Sequence, residues 1–227
     1  MKKVIFGIFA HPDDEAFGPS GTLLMEKASG SEVHLICVTA GESGMNPDGH
    51  EDIALVRLEE WKKAGSLIGA DSMHHLGYKD GHLCNVNYHQ VAEKIDEIIR
   101  QTIRDRNGIE VEFMSIDMNG ITGHLDHIFV ARVACYVFCN LKEKDSRFSR
   151  VRLACLPREW APKSNCDWLY MDAGRTPEEI SEVVDAREHL ETIYEIMRAH
   201  HTQRSDAETH IKKRGELVAV NHFLVVE

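Results

Sequence analysis

Residues 4–10, Val-Ile-Phe-Gly-Ile-Phe-Ala, run without a polar side chain straight into His11-Pro12-Asp13-Asp14-Glu15. A continuous apolar run of this kind suits a strand buried on both faces, as in the middle of a parallel sheet. The next five residues bring one imidazole and three carboxylates to the end of that strand. Pro12 fixes its own φ and biases His11 toward an extended backbone, which stiffens the loop. An aspartate ahead of a helix is also what an N-cap requires, so Asp13 and Asp14 carry a structural reading beside the functional one.

Beyond this run, strands and helices alternate. A helix is expected over about 16–29, and Glu32–Thr39 reads as a second, strongly β-branched strand. The loop at 40–50 is rich in Gly, Asn, Pro and Asp. From 51 to 68 an apolar stripe (Ile53, Val56, Trp61, Ala64, Ile68) predicts a helix that stops at Gly69. A short strand near 72–76, a helix over 87–105, a strand over 112–117 and a helix from 125 to 140 follow. Further strands are expected near 150–156, at 167–171 and in the tail 216–226. Thr176-Pro177-Glu178-Glu179 has the N-cap, N1 proline and N3 glutamate of a helix start, and that helix is expected to run to about Ala199. Repeated alternation predicts an α/β fold, Rossmann-like, with a mainly parallel sheet and helices on both faces. With no linker and no repeat, residues 1–227 read as a single domain.

Composition narrows the function. The chain has 227 residues, 43% hydrophobic and 28% charged, the balance of a soluble globular protein. Twenty-six Lys and Arg against 37 Asp and Glu leave a net charge of −11, which disfavours nucleic acid and anionic membranes as partners. No apolar run approaches the roughly 18–20 residues of a membrane span. The start imitates a signal peptide only until His11-Pro12-Asp13, so a cytoplasmic location is expected. Six cysteines contain no C-x-x-C pair, which removes zinc knuckles and thioredoxin-like chemistry. Cys135 and Cys139, four apart on an apolar helix, read as buried free thiols. There is also no G-x-G-x-x-G, P-loop, H-E-x-x-H or G-x-S-x-G. No exposed heptad can be read, and homo-oligomerisation is left open.

In open parallel sheets, ligands bind beyond the carboxyl ends of the strands. Besides 11–15, the loop Gly120-Ile121-Thr122-Gly123-His124-Leu125-Asp126-His127 falls there, with His124 and His127 three apart on one helix face. If the first and fourth strands are neighbours, these histidines meet His11 above one sheet edge. Three N/O ligands with an open fourth position make a catalytic zinc site, and a mixed His/carboxylate set also suits Fe(II) or another divalent ion.

The string Ala10-His11-Pro12-Asp13-Asp14-Glu15, with Gly21 beyond it, resembles the opening signature of the LmbE-like (PIG-L) metal-dependent N-deacetylases. Thr39-Ala40-Gly41-Glu42 resembles the family's T-x-G-E turn, and Arg57-x-x-Glu60 its R-x-x-E helix. Gly123-His124-Leu125-Asp126-His127 is similar to G-H-P-D-H, and Ala199-His200-His201-Thr202-Gln203 to a late A-H-x-S/T-Q stretch. The resemblance implies His11, Asp14 and His127 as ligands of Zn2+ or another divalent metal, with Asp13 as general base. It implies His124 as a positively charged oxyanion stabiliser with Asp126 as its partner, and Arg57, Asp80 and His200 as substrate contacts. Two positions depart from the pattern: Leu125 replaces its proline, and Thr122 stands where some members have tyrosine. Residues 155–195 show no match.

The implied activity is removal of an N-acetyl group from a small acylated amino-sugar conjugate, releasing acetate and an amine. The competing expectations are an amidase for another small amide, such as a thiol conjugate, and a non-catalytic metal- or sugar-binding module. Retention of Asp13, which need not touch the metal, argues against the module.

Overall fold

The first apolar run forms strand β1 (Lys2–Phe9), and it lies inside a seven-stranded sheet. The computed structural model describes residues 1–161, 170 and 173–227. The other strands are β2 (Glu32–Thr39), β3 (Ser72–Tyr78), β4 (Ile109–Ile116), β5 (Phe148–Cys155), β6 (Glu182–Asp185) and β7 (Val220–Val226), in the order β3-β2-β1-β4-β5-β7-β6. The pairings from β3 to β5 are parallel. Strand β7 joins β5 antiparallel, and β6 closes that side antiparallel to β7.

Helices α1 (Asp14–Phe17), α2 (Ser20–Ala28), α3 (Ile53–Ile68), α4 (Tyr88–Thr102), α5 (Gly120–Gly123), α6 (Leu125–Lys142), α7 (Leu190–Ala199) and α8 (Arg204–Arg214) complete the chain. The two-residue period of β1 sends Val4, Phe6 and Ile8 to one face, where α4 and α6 pack, and Ile5 and Phe9 to the other, under α2, α3 and α7. Each such buried side chain contributes about 1.5–3 kcal/mol. Gly7 is required by space: a Cβ there would lie 2.8 Å from the Phe9 ring and 2.9 Å from Leu35.

After β1 the chain moves outward through β2 and β3, then returns to lay β4 on the other flank of β1. The carboxyl ends of β1 and β4 therefore form a topological switch point, where open α/β sheets take their ligands. Asp52 caps α3 by accepting the Leu55 N–H, and Gly69 ends it with φ 81°, as the stripe and the glycine predict.

Several expectations need correction. The predicted helix over 16–29 is broken at Gly18-Pro19 into α1 and α2. Half of the capping box at Thr176 forms, with Glu179 Oε2 accepting the Thr176 N–H at 2.8 Å, but it closes only a turn. Val183 and Val184 favour extended backbone, and β7 offers them a partner, so β6 precedes α7. Helix α8 was not anticipated, because it lacks an apolar stripe. Cys135 is half-buried and Cys139 exposed, so this pair is not a buried one. The strand expected at 167–171 falls outside the described residues except for Tyr170, which is exposed. Among the described residues, no helix is long and apolar enough to cross a membrane.

Candidate active site

The loop after β1 is folded by its own side chains. Asp14 Oδ2 accepts the backbone N–H of Ala10 at 3.0 Å and of His11 at 2.9 Å. Asp13 occupies the N-cap position of α1 yet makes no capping hydrogen bond, so the structural reading of this carboxylate fails. Its φ is 119°, a conformation that costs a non-glycine residue about 1–3 kcal/mol. The surroundings hold it there. Arg57 donates to Asp13 Oδ2 at 2.9 Å, to the Pro12 carbonyl at 2.6 Å and to the Gly41 carbonyl. Glu15 accepts the Asp13 N–H at 3.2 Å and, through its other oxygen, the His200 Nε2–H at 2.7 Å. The loop after β4 carries a second strained residue, Ile121 at φ 58°, just before His124.

Because β1 and β4 are neighbours, the two loops meet. His11 Nε2 lies 3.0 Å from Asp80 Oδ1; a carboxylate only accepts, so this nitrogen carries the hydrogen. His127 Nδ1 lies 3.1 Å from the Gly120 carbonyl and donates for the same reason. The remaining nitrogens, His11 Nδ1 and His127 Nε2, face each other at 3.0 Å, and Asp14 Oδ1 stands 3.1 Å from His127 Nε2. These two nitrogens and a carboxylate oxygen thus converge on one point that a single positive charge, a shared proton or a metal ion, satisfies. Donor groups gather within 4.8 Å in two overlapping sets, His11/His124/His127 and His11/Asp80/Asp126. The second set lies on the hydrogen-bearing side of His11, so it orients the ring, and the open donors are on the other side.

The electrostatics agree. Burial alone would lower the pKa of His11, but hydrogen bonds to Asp126 and Asp80 and the charge of Asp14 raise it to about 10. Burial opposes the charge of Asp14, yet His127 and His11 hold it well below the usual carboxylate range. Burial lifts Asp13 up to about 6, against the pull of Arg57. His124 is lowered, by burial first and then by His127 and His11, against Asp126 and Asp80. Its Nδ1 accepts the Asp126 N–H at 3.3 Å, which leaves the hydrogen on Nε2. The Asp126 carboxylate reaches the Gly81 N–H at 2.7 Å and His11 Nε2 at 3.5 Å.

These residues border a cavity of 550 Å³ that His11, Asp13, Asp14, Arg57, Asp80, Thr122, His124 and His127 line at one end. His200 does not join them. It is fully buried behind the loop, so its expected substrate contact is replaced by support of Glu15. Asp80 orients His11, and its second oxygen accepts the Ser43 N–H at 2.9 Å. Leu125, in place of proline, is 65% exposed. His74, His75 and His82 do not line the cavity.

Sequence reasoning missed the opposite wall, made by Phe17, Trp160, Asp206, His210, Arg214 and Asn221 among others. It also missed the clasp between Glu60 and Thr202, whose N–H and hydroxyl lie 2.8 and 2.6 Å from the carboxylate. That pair was detectable, since the R-x-x-E and late T-Q segments both stood out. The opposite wall left no comparable signal.

The family described as PIG-L, GlcNAc-PI de-N-acetylase, matches residues 6–138. A Bacillus cereus protein named "Probable N-acetyl-alpha-D-glucosaminyl L-malate deacetylase 2" is 32% identical over 106 residues, covering 44% of this chain and 48% of that protein. The chain thus spans about half the length of that relative. A Nocardioides protein named 1D-myo-inositol 2-acetamido-2-deoxy-alpha-D-glucopyranoside deacetylase is 27% identical over 249 residues, covering 86% of this chain and 82% of that one. The solved N,N'-diacetylchitobiose deacetylase of Pyrococcus horikoshii superposes with a TM-score of 0.71 at 19% identity, over 99% of this chain and 84% of that chain, and so shares the fold. Both loops that meet at the switch point lie within the matched segment, and on that match the chain belongs to the PIG-L (LmbE-like) family.

Proposed function

We propose that this protein is a zinc-dependent N-deacetylase that hydrolyses the acetamide of a small glucosamine conjugate, with His11, Asp14 and His127 as metal ligands. The observation that carries the reading is the convergence of His11 Nδ1, His127 Nε2 and Asp14 Oδ1 on one point, with the far side of each ring engaged by Asp80 or Gly120. Nitrogen and carboxylate donors suit zinc, and Fe2+ or another divalent ion is compatible with the same set. The relatives' names share an N-acetylated glucosamine and differ in what it is attached to.

A divalent ion held by His11, Asp14 and His127 would supply Lewis acidity to the acyl carbonyl and to the attacking water. Asp13, lifted to about 6 and gripped by Arg57, takes the proton that water loses on attacking the acetyl carbon. His124 presents Nε2–H to the oxygen that becomes negative as the carbonyl is attacked. Burial disfavours its charged form, so the ring acts there as a hydrogen-bond donor through Nε2 and not as a fixed positive charge. Asp13 then passes its proton to the leaving amine, and acetate departs.

The test is elemental analysis combined with acetate release from N-acetylglucosamine glycosides and from larger amides. Asp13→Asn is expected to keep the metal and lose about 10²–10⁴-fold in turnover. His127→Ala is expected to lose metal as well. Equal metal loss in both variants overturns the division of roles, and no acetate release from any glycoside by metal-loaded protein overturns the activity.

A further inference from the structure

The cavity wall facing the His11–His127 pair carries a cation that has no counter-ion among the described residues. Arg214, the last residue of α8, is half-buried and lines the cavity, with its guanidinium 5.8 Å from the centre of the Trp160 ring. Burial alone acts on its charge, and no carboxylate among the described residues offsets it. Every other arginine in the described residues that is not exposed has a carboxylate partner, from Arg57 on Asp13 to Arg204 on Asp48. His210, one turn earlier on the same helix, also lines the cavity. Burial first, and then the charges of Arg214 and Lys213, push it down to about 4. Along α8, Asp206 lies toward Arg57 and the switch point, whereas Arg214, at the far end of the helix, is the cation that lines the cavity. Leaving a desolvated charge unpaired is costly, and a ligand that pairs it recovers that cost.

We propose that the α8 end of the cavity is a subsite for an anionic group, carboxylate or phosphate, on the part of the substrate remote from the acetamide, with Arg214 as the specificity-determining cation. The proposal rests on the deacetylase reading only for which end of the substrate lies at the metal. A guanidinium fork matches both oxyanions, and Trp160 holds it by a cation–π contact in a fixed place.

Three probes test it: methyl N-acetylglucosaminide, its carboxymethyl counterpart, and N-acetylglucosamine 1-phosphate. Acetate release and calorimetric binding are measured on the full, metal-loaded chain. The wild type is expected to favour at least one anionic probe over the neutral one by about 10- to 100-fold, the worth of a charge-assisted hydrogen bond, and the favoured probe tells carboxylate from phosphate. Arg214→Gln is expected to bring that ratio close to one, while Arg214→Lys keeps part of it. A wild type without preference, or a ratio unchanged in Arg214→Gln, overturns the subsite. If no probe releases acetate but the binding preference and its loss in Arg214→Gln persist, the subsite stands and the deacetylase reading falls. Equal release and equal binding of all three probes have the opposite meaning: the deacetylase reading stands and the subsite falls.

Discussion

Along the cavity, from the β1–β4 edge to α8, side chains pass from tightly paired to unpaired. At the first end the fold supplies partners to the key side chains: Asp80 and Gly120 orient the two histidines, while Arg57 and Glu15 hold Asp13. At the other end Arg214 packs on the Trp160 ring, with no carboxylate partner among the described residues, and His210 packs on Phe17 with ring centres 5.3 Å apart. A rigid, over-determined reaction centre and a more open wall can thus share one cavity. The first end lies within the family segment 6–138, and the second is built largely from residues beyond it. The proposed chemistry and the proposed selectivity thus fall on different stretches of polypeptide.

This contrast is probed most severely at the paired end. His124→Gln removes the ring that faces the developing negative charge, and kcat is expected to fall about 10²–10³-fold with the metal retained. A fall below about threefold with full metal occupancy means that His124 does not stabilise the transition state. A smaller effect is expected between the two ends, where Glu60 on α3 clasps Thr202 just before α8. Thr202→Val removes the hydroxyl donor at 2.6 Å, and denaturant unfolding should show a loss of about 1–3 kcal/mol. An unchanged midpoint would mean that water replaces this hydroxyl without penalty.

The smallest effect concerns pH at the open end. His210 has a folded pKa of about 4 against an ordinary value of 6.5, so between these values the unfolded chain binds more protons than the folded one. Stability from this group is complete above pH 6.5 and is lost as pH falls toward 4. His210→Gln should flatten the acid side of a Tm-against-pH curve, and a curve of the same slope would show that the ring is not held neutral.

The reaction centre was far more legible in the sequence than the wall opposite it, and the reason is local geometry. His11, Asp13 and Asp14 sit within four consecutive positions after a buried strand, and His124, Asp126 and His127 within four others. Contiguous chemistry on a strand-end loop leaves a pattern. His200 was misread because a sequence position near a motif does not tell a cavity-facing ring from one sealed behind it on Glu15. Strand β6 was misread because its capping box is real and its extended partner, β7, lies over thirty residues downstream.

The alternation of apolar runs with polar loops was enough to specify an α/β sheet with the histidines and carboxylates at strand ends, because burial on both faces of a strand demands an unbroken apolar run. Adjacency was settled only on folding: β4 lies beside β1, so that His127 meets His11, and α8 turns back so that Arg214 closes the same cavity. Such neighbours are set by the packing of whole helices against a sheet, a sum of many weak contacts that no short stretch of residues encodes.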